Sequence, residues 1–74
     1  MKGAEQQIAS AGVARRLAER RLQAEEARRA AGLSTTFAVL QAQRDLATAQ
    51  TNELRAQLDY RRALVDFDLA QEAA

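Results

Sequence analysis

The spacing of apolar residues along the chain predicts two long helices. Ala, Arg, Glu, Gln and Leu, all strong helix formers, make up almost all of residues 4–31, and apolar positions recur at steps of three and four there and over residues 36–72. Proline is absent, and the three glycines stand at 3, 12 and 32. Only the start and the middle of the chain therefore carry residues that interrupt a helix. We predict an all-α fold, a long antiparallel helical hairpin or two-helix coiled coil, with its tip at residues 32–35.

The second helix carries two apolar stripes. The first stripe has the alternating steps of a heptad seam and consists of Val39, Ala42, Leu46, Ala49, Glu53, Ala56, Tyr60, Ala63, Phe67 and Ala70. The second stripe consists of Leu40, Ala47, Leu54, Leu58, Val65 and Leu69. Because two stripes need neighbours on two sides, we expect the hairpin to associate into a four-helix bundle or the wall of an α-barrel.

The first helix repeats this pattern more weakly. One line of apolar residues comprises Ile8, Ala11, Ala18 and Leu22, and a second comprises Val13, Leu17, Ala24, Ala27 and Ala31. Gly12 is interpreted as a frayed first turn or as a place where another backbone comes close. Across both helices, the predicted packing residues are Leu17, Leu22, Val39, Leu40, Leu46, Leu54, Leu58, Tyr60, Leu64 and Phe67.

The corner between the helices follows the rules for helix ends. Gly32 stands after "RRAA", where a helix places its left-handed C′ residue, and the two preceding arginines lie near the negative end of the helix dipole. Ser34, Thr35 or Thr36 can supply the N-cap oxygen of the second helix. Leu33 then folds back as the C″ residue of a Schellman ending, is presented to a partner, or does both, since alanine at position 27 would leave it largely exposed.

Composition indicates that the hairpin needs partners for stability. The chain has 74 residues and 47% hydrophobic content, but most of that share is alanine, with two Phe, one Tyr and no Trp. At roughly 25 cal/mol per Å² of apolar surface, a seam built mainly from alanine barely offsets the loss of conformational entropy. We therefore expect stability to come from association.

The residue types argue against catalysis and against metal or cofactor binding. The chain contains no Cys and no His, which removes thiol nucleophiles, histidine metal sites and the usual general base. Asp66 and Asp68 lie two apart and point to different helix faces. We expect no enzyme activity, no metal and no cofactor.

Charge and hydropathy argue against nucleic acid and membrane partners. Net charge is +1, with Lys2 and six Arg against four Glu in residues 1–31 and four Arg against six acids in residues 33–74. Acidic residues are interspersed with the arginine pairs, and no aromatic platform accompanies them. Oppositely charged pairs four apart, such as Arg15/Glu19, are expected on solvated faces. No segment approaches the ~18–20 apolar residues of a membrane span, so we expect no direct membrane contact.

A longer motif resembles the coiled-coil hairpin of the TolC-type outer-membrane efflux proteins. The stretch "AAGLSTTFAVLQAQRDLATAQTNELRAQLDYRRALVDFDLAQ" carries the Gly-Leu-Ser corner of that family, followed by Val-Leu, Ala-Gln, a ladder of Leu and Ala, and a late Asp-Tyr. The matching positions are Gly32, Leu33, Ser34, Val39, Leu40, Ala42, Gln43, Leu46, Ala49, Asp59, Tyr60, Ala63 and Leu64. The resemblance covers nearly the whole chain after "MKG", three residues that we interpret as added for expression.

The resemblance implies a structural part of an export duct. In that family, three subunits close an outer-membrane β-barrel and a periplasmic α-barrel, and the hairpin corners form the periplasmic mouth. By resemblance, Gly32, Leu33, Ser34 and Thr35 form the tip that meets a periplasmic adaptor (membrane fusion) protein. The parent protein would then be a trimer with this segment in the periplasm, and the isolated fragment a soluble dimer. Ala38 departs from the family pattern, in which many members carry an acidic residue, so the resemblance implies no carboxylate contact at this position.

An alternative from the same residues is a free-standing hairpin, natural or designed, that homodimerises through its own apolar stripes as an oligomerisation module. The two hypotheses differ in whether the gene continues into strands on either side of the hairpin. The sequence carries no strand pattern, so by itself this chain is not expected to form a channel.

Overall fold

The chain folds as a two-helix rod. A computed structural model describes residues 2–73, with side chains from residue 3 to residue 72. Helix α1 (Lys2–Ala30) and helix α2 (Thr36–Ala73) pack against each other and are joined by a turn at residues 31–35. The described residues extend over 64 × 16 × 12 Å. The predicted all-α helical hairpin is thus confirmed, whereas its assembly into a bundle or barrel wall stays a prediction.

The helix bounds lie within two residues of the predicted ones. Helix α1 begins at Lys2 rather than residue 4 and ends at Ala30 rather than residue 31, because Ala31 already belongs to the turn. Helix α2 begins at Thr36, as expected, and continues to Ala73. Of the segment interpreted as added residues, Met1 lies outside the described part of the chain, and Lys2 and Gly3 are helical.

One stripe of α2 forms the interface with α1. Val39 and Ala42 are 3% and 2% exposed, and Ala49 is 9% exposed. The first predicted stripe is buried or half-buried down to position 63: Val39, Ala42, Leu46, Ala49, Glu53, Ala56, Tyr60 and Ala63. On α1 the half-buried apolar residues are Ala4, Ile8, Ala11, Ala18 and Leu22. We call these two rows the seam. Its many alanines let the helices approach closely but give a thin core.

The pairing along the seam leaves the last turns of α2 without a neighbour in α1. Arg15 forms an ion pair with Glu53, and Nη1 of Arg21 lies 3.8 Å from Oδ2 of Asp45. Continuing this antiparallel pairing places the described start of α1 beside residues near 65 of α2. Phe67, although it belongs to the first stripe, is accordingly 52% exposed.

The rod exposes more surface than a compact domain of its mass. Its accessible surface is 5770 Å² for 8.1 kDa, whereas a compact monomer of that mass would expose about 4500 Å². Neither helix, over the residues described, has a stretch apolar and long enough to cross a bilayer.

Candidate functional site

Gly32 and two backbone hydrogen bonds end α1 in a Schellman motif. Gly32 has φ of 78° and is the residue with left-handed backbone among those described. The Gly32 N–H donates to the Arg29 carbonyl at 2.9 Å, and the Leu33 N–H donates to the Arg28 carbonyl at 2.7 Å. These are the two bonds that define a Schellman ending with glycine at C′ and leucine at C″. The predicted left-handed glycine at C′ is confirmed, and Leu33 lies at C″ with its side chain 70% exposed.

Thr35 caps the start of α2. Its Oγ1 accepts a hydrogen bond from the Ala38 N–H at 3.1 Å, and its carbonyl accepts the first helical bond from Val39 at 3.2 Å. Of the three hydroxyl residues that could cap this helix, the structure therefore selects Thr35. Ala38 offers only its backbone donor to the cap.

Ser34 ties the turn back to α1. Its hydroxyl donates to Oε2 of Glu25, one turn and a half before the end of α1. The other carboxylate oxygen of Glu25 lies 3.4 Å from Nη1 of Arg28. Because Glu25 accepts hydrogen bonds from Arg28 of α1 and from Ser34 of the turn, side chains as well as backbone bonds fix the turn. Ser34 is accordingly only partly exposed.

Two large apolar side chains project from this fixed corner. Leu33 is 70% exposed and Phe37, in the first turn of α2, is 74% exposed. We define the tip as residues 31–37, so that it includes both. The structure thus brings the four predicted tip residues, Gly32, Leu33, Ser34 and Thr35, into one turn. Sequence reasoning missed Phe37, which could have been found as an aromatic residue two positions ahead of the seam stripe, on the opposite helix face.

The predicted packing residues divide into two groups. Leu22, Val39, Leu46, Tyr60 and Leu64 are buried or half-buried in the hairpin. The others, Leu17, Leu40, Leu54, Leu58 and Phe67, are each at least half exposed. Exposure also extends to every member of the second predicted stripe, which we call the outer stripe: Leu40, Ala47, Leu54, Leu58, Val65 and Leu69. Within one chain, the outer stripe has no partner among the described residues.

A charged cluster interrupts the seam far from the tip. Arg15 Nε donates to Glu53 Oε1 at 2.7 Å across the seam, and Arg15 Nη1 donates to Glu19 Oε1 at 2.7 Å along α1. The Arg15 and Glu53 side chains are 26% and 21% exposed. A Cβ added to Gly12 would lie 3.3 Å from Glu53 Oε2. We call Gly12, Arg15, Glu19 and Glu53 the seam cluster.

The cluster corrects two interpretations of the sequence. Gly12 is buried within continuous helix, so it is not a frayed first turn, and the atoms that a Cβ there would meet are side-chain atoms of Glu53 and Arg16 rather than another backbone. Arg15 lies in the interface and is not purely part of a solvated pair. The hydrogen bond that Arg15 donates to Glu19, followed by the negative charge of Glu53, raises the pKa of Arg15. A cation whose pKa is raised on folding stabilises the folded chain at every pH below its ordinary pKa. This stabilisation is lost only as the pH rises through the raised pKa, so Arg15 is charged at any physiological pH.

The described side chains contain no group of three or more carboxylates placed to hold a metal ion.

Comparisons of the chain with protein-family models, with curated proteins and with solved structures find no match. The family resemblance drawn from its motifs therefore stays an expectation, and function must be argued from the tip, the outer stripe and the seam cluster.

Proposed function

We propose that the chain is a tip-bearing hairpin of a TolC-type outer-membrane export duct and that its tip docks a periplasmic adaptor protein. The observation that carries the proposal is the fixed presentation of Leu33: a leucine 70% exposed to water, at the end of a 64 Å rod. The Schellman bonds, the Thr35 cap and the Ser34 to Glu25 hydrogen bond hold its backbone in place. A rigid backbone lowers the entropy lost when a partner covers the side chain.

The outer stripe supports the second part of this proposal, which is association with neighbouring hairpins. The surface in excess of a compact monomer is about 1300 Å², more than the ~800 Å² that one partner contributes to a standard interface. A hairpin in a tube wall would cover its outer stripe with the next hairpin. In the parent protein these would be further hairpins of a trimer in the periplasm.

The docking proposal is tested by Leu33→Asp. Binding of the purified chain to a panel of adaptor hairpin domains is measured by calorimetry or surface plasmon resonance, with helicity followed by circular dichroism. We expect Leu33→Asp to abolish binding without loss of helicity, because the charge would have to be desolvated against an apolar contact. The matched control is Leu69→Asp, at a leucine 58% exposed near the other end of the rod, which should bind normally. Undiminished binding by Leu33→Asp would refute the tip assignment.

The exposed outer stripe equally favours a second candidate function, a free-standing hairpin that homodimerises into a four-helix bundle. A discrete dimer in sedimentation is compatible with both functions. Sequencing the gene on both sides separates them: alternating strand patterns flanking the hairpin support the duct, whereas a gene that ends with the hairpin supports the oligomerisation module.

A further inference from the structure

The seam of this hairpin is nearly repetitive, so most of it does not define how the helices align. Alanine occupies one seam position every seven residues on both helices, at positions 4, 11 and 18 of α1 and 49, 56 and 63 of α2. Sliding one helix past the other by seven residues again places alanine against alanine. Small side chains of equal size discriminate weakly between such alignments, because neither alignment leaves a large cavity or a clash.

The seam cluster breaks this repetition. In the observed alignment, the Glu53 carboxylate receives the Arg15 guanidinium at 2.7 Å and occupies the space that the missing Cβ of Gly12 leaves open. A buried or half-buried charge is tolerated when a partner of opposite charge is hydrogen-bonded to it, and it is costly when that partner is removed. Glu53 is therefore well placed in this alignment alone if the neighbouring alignments offer it no cation.

The neighbouring alignments offer it a carboxylate instead. If α2 slides by one heptad in one direction, Leu22 takes the place of Arg15 opposite Glu53, and Glu19 takes the place of Gly12. If α2 slides the other way, Ile8 replaces Arg15 and Glu5 replaces Gly12. In both cases the Glu53 carboxylate would face an aliphatic side chain and a second glutamate. Both slides thus combine desolvation of a charge with repulsion between like charges.

We propose that the seam cluster sets the register of the hairpin, with Arg15 and Glu53 acting as a polar lock and Gly12 providing its space. A single polar pair that specifies register in an otherwise permissive seam is the best-attested use of such groups in coiled coils. The turn is the other constraint on alignment, but Gly32 lies about 30 Å from Gly12 along α1. The cluster thus aligns the half of the rod that is remote from the tip. This inference does not depend on the export-duct proposal.

The chain contains no cysteine, so pairs of introduced cysteines can report the register. Ala11 and Ala56 line the same groove between the helices, and Ala11→Cys with Ala56→Cys reports the observed alignment. Ala18→Cys with Ala56→Cys reports the slide toward Glu19, and Ala11→Cys with Ala49→Cys reports the slide toward Glu5. A disulfide needs its two Cα atoms within about 7 Å, so a pair cross-links only in its own register. Within the monomer band of a non-reducing gel, chains with an internal disulfide are those whose mass is not raised by a maleimide-polyethylene glycol thiol label.

Glu53→Arg is the informative variant. An arginine at position 53 would be repelled by Arg15 in the observed register and attracted by Glu19 in the register that is slid toward Glu19. We expect the yield of the Ala18→Cys/Ala56→Cys cross-link to rise several-fold and that of Ala11→Cys/Ala56→Cys to fall. Asp66→Arg makes the same change of charge at an exposed site outside the seam and should leave both yields unchanged. Equal yields in the Glu53→Arg and Asp66→Arg chains would overturn the proposal.

A second variant covers the case in which Glu53→Arg does not fold. Arg15→Leu with Glu53→Leu replaces the lock by an apolar pair, which commonly preserves or raises stability. We expect this chain to be as helical as the wild type but to form the slid cross-links alongside the original one. If it forms only the Ala11→Cys/Ala56→Cys cross-link, the turn alone sets the register and the lock does not.

Discussion

Glycine serves two different purposes in this hairpin. Gly32 has a left-handed backbone, with φ of 78°, and a Cβ added there would meet nothing within 4 Å. At Gly12 the backbone is ordinary helix, and the absent Cβ matters because the Glu53 carboxylate lies within 3.3 Å of where it would be. Gly32 is needed for its backbone conformation, and Gly12 is needed because it has no side chain to fill the space of the Glu53 carboxylate. The two glycines should therefore respond differently to substitution.

Gly32→Ala tests the conformational role. A left-handed backbone costs a residue with a Cβ about 1–2 kcal/mol, so we expect the free energy of unfolding to fall by roughly 1 kcal/mol, measured by denaturant titration with circular dichroism. Gly3→Ala is the matched control, since Gly3 lies in α1 and a Cβ there meets nothing within 4 Å. Equal stabilities of the two variants would show that the Schellman turn does not depend on glycine.

Local rules made the turn predictable, whereas the seam cluster required knowledge of the register. The Schellman ending and the choice of capping residues follow from a few consecutive positions, so Gly32 and the hydroxyl residues after it could be assigned from the sequence. The contact between Arg15 and Glu53 joins positions 38 residues apart. Its sequence signal is that each is the charged residue in an otherwise apolar heptad series: Ile8, Arg15 and Leu22 on α1, and Leu46, Glu53 and Tyr60 on α2.

The two helices approach each other through alanine residues, so their packing depends on small side chains at the seam positions. Ala42 is 2% exposed and lies between Val39 and Leu46 in the seam, whereas Ala47 lies on the outer stripe of the same helix and is exposed. Heptad spacing predicted both stripes from the sequence. It could not tell which stripe faces α1, because both are apolar and the choice depends on where the turn directs the chain.

Ala42→Leu tests the close approach of the helices. A leucine at this buried position would push the helices apart, and overpacking of this kind typically costs about 1–3 kcal/mol. We expect the melting temperature to fall, measured by circular dichroism at one fixed concentration. Ala47→Leu makes the same substitution five residues later on the exposed stripe and should leave the melting temperature unchanged or raise it. A melting temperature that falls in Ala47→Leu but not in Ala42→Leu would place the interface on the other face of α2.

The whole molecule has little buried surface for its length. Among residues 3–72, the buried apolar side chains are Val39, Ala42 and Ala49, and the accessible surface of 5770 Å² is spread over a 64 Å rod. A helix pair with so small a core gains little from folding alone, since the entropy of ordering each residue must be offset by burial. The outer stripe supplies the missing apolar area if a neighbour covers it. Association and folding should therefore be coupled.

Coupling of this kind makes stability depend on concentration, because a partner that binds only the folded chain stabilises it by mass action. We expect the melting temperature of the wild-type chain to rise with concentration over a wide dilution range. Leu54→Gln with Leu58→Gln should remove that dependence, as both side chains belong to the outer stripe and are 56% and 52% exposed.

Leu33→Gln with Phe37→Gln is the control for that experiment, since it also replaces two exposed apolar side chains but does so at the tip, and it should melt with the wild-type dependence on concentration. The measurement decides between two sources of stability. If the wild-type chain melts cooperatively at the same temperature however far it is diluted, the alanine seam and its polar lock suffice for folding. The outer stripe would then have no role in the stability of the hairpin, and the argument for neighbouring hairpins would lose its energetic basis.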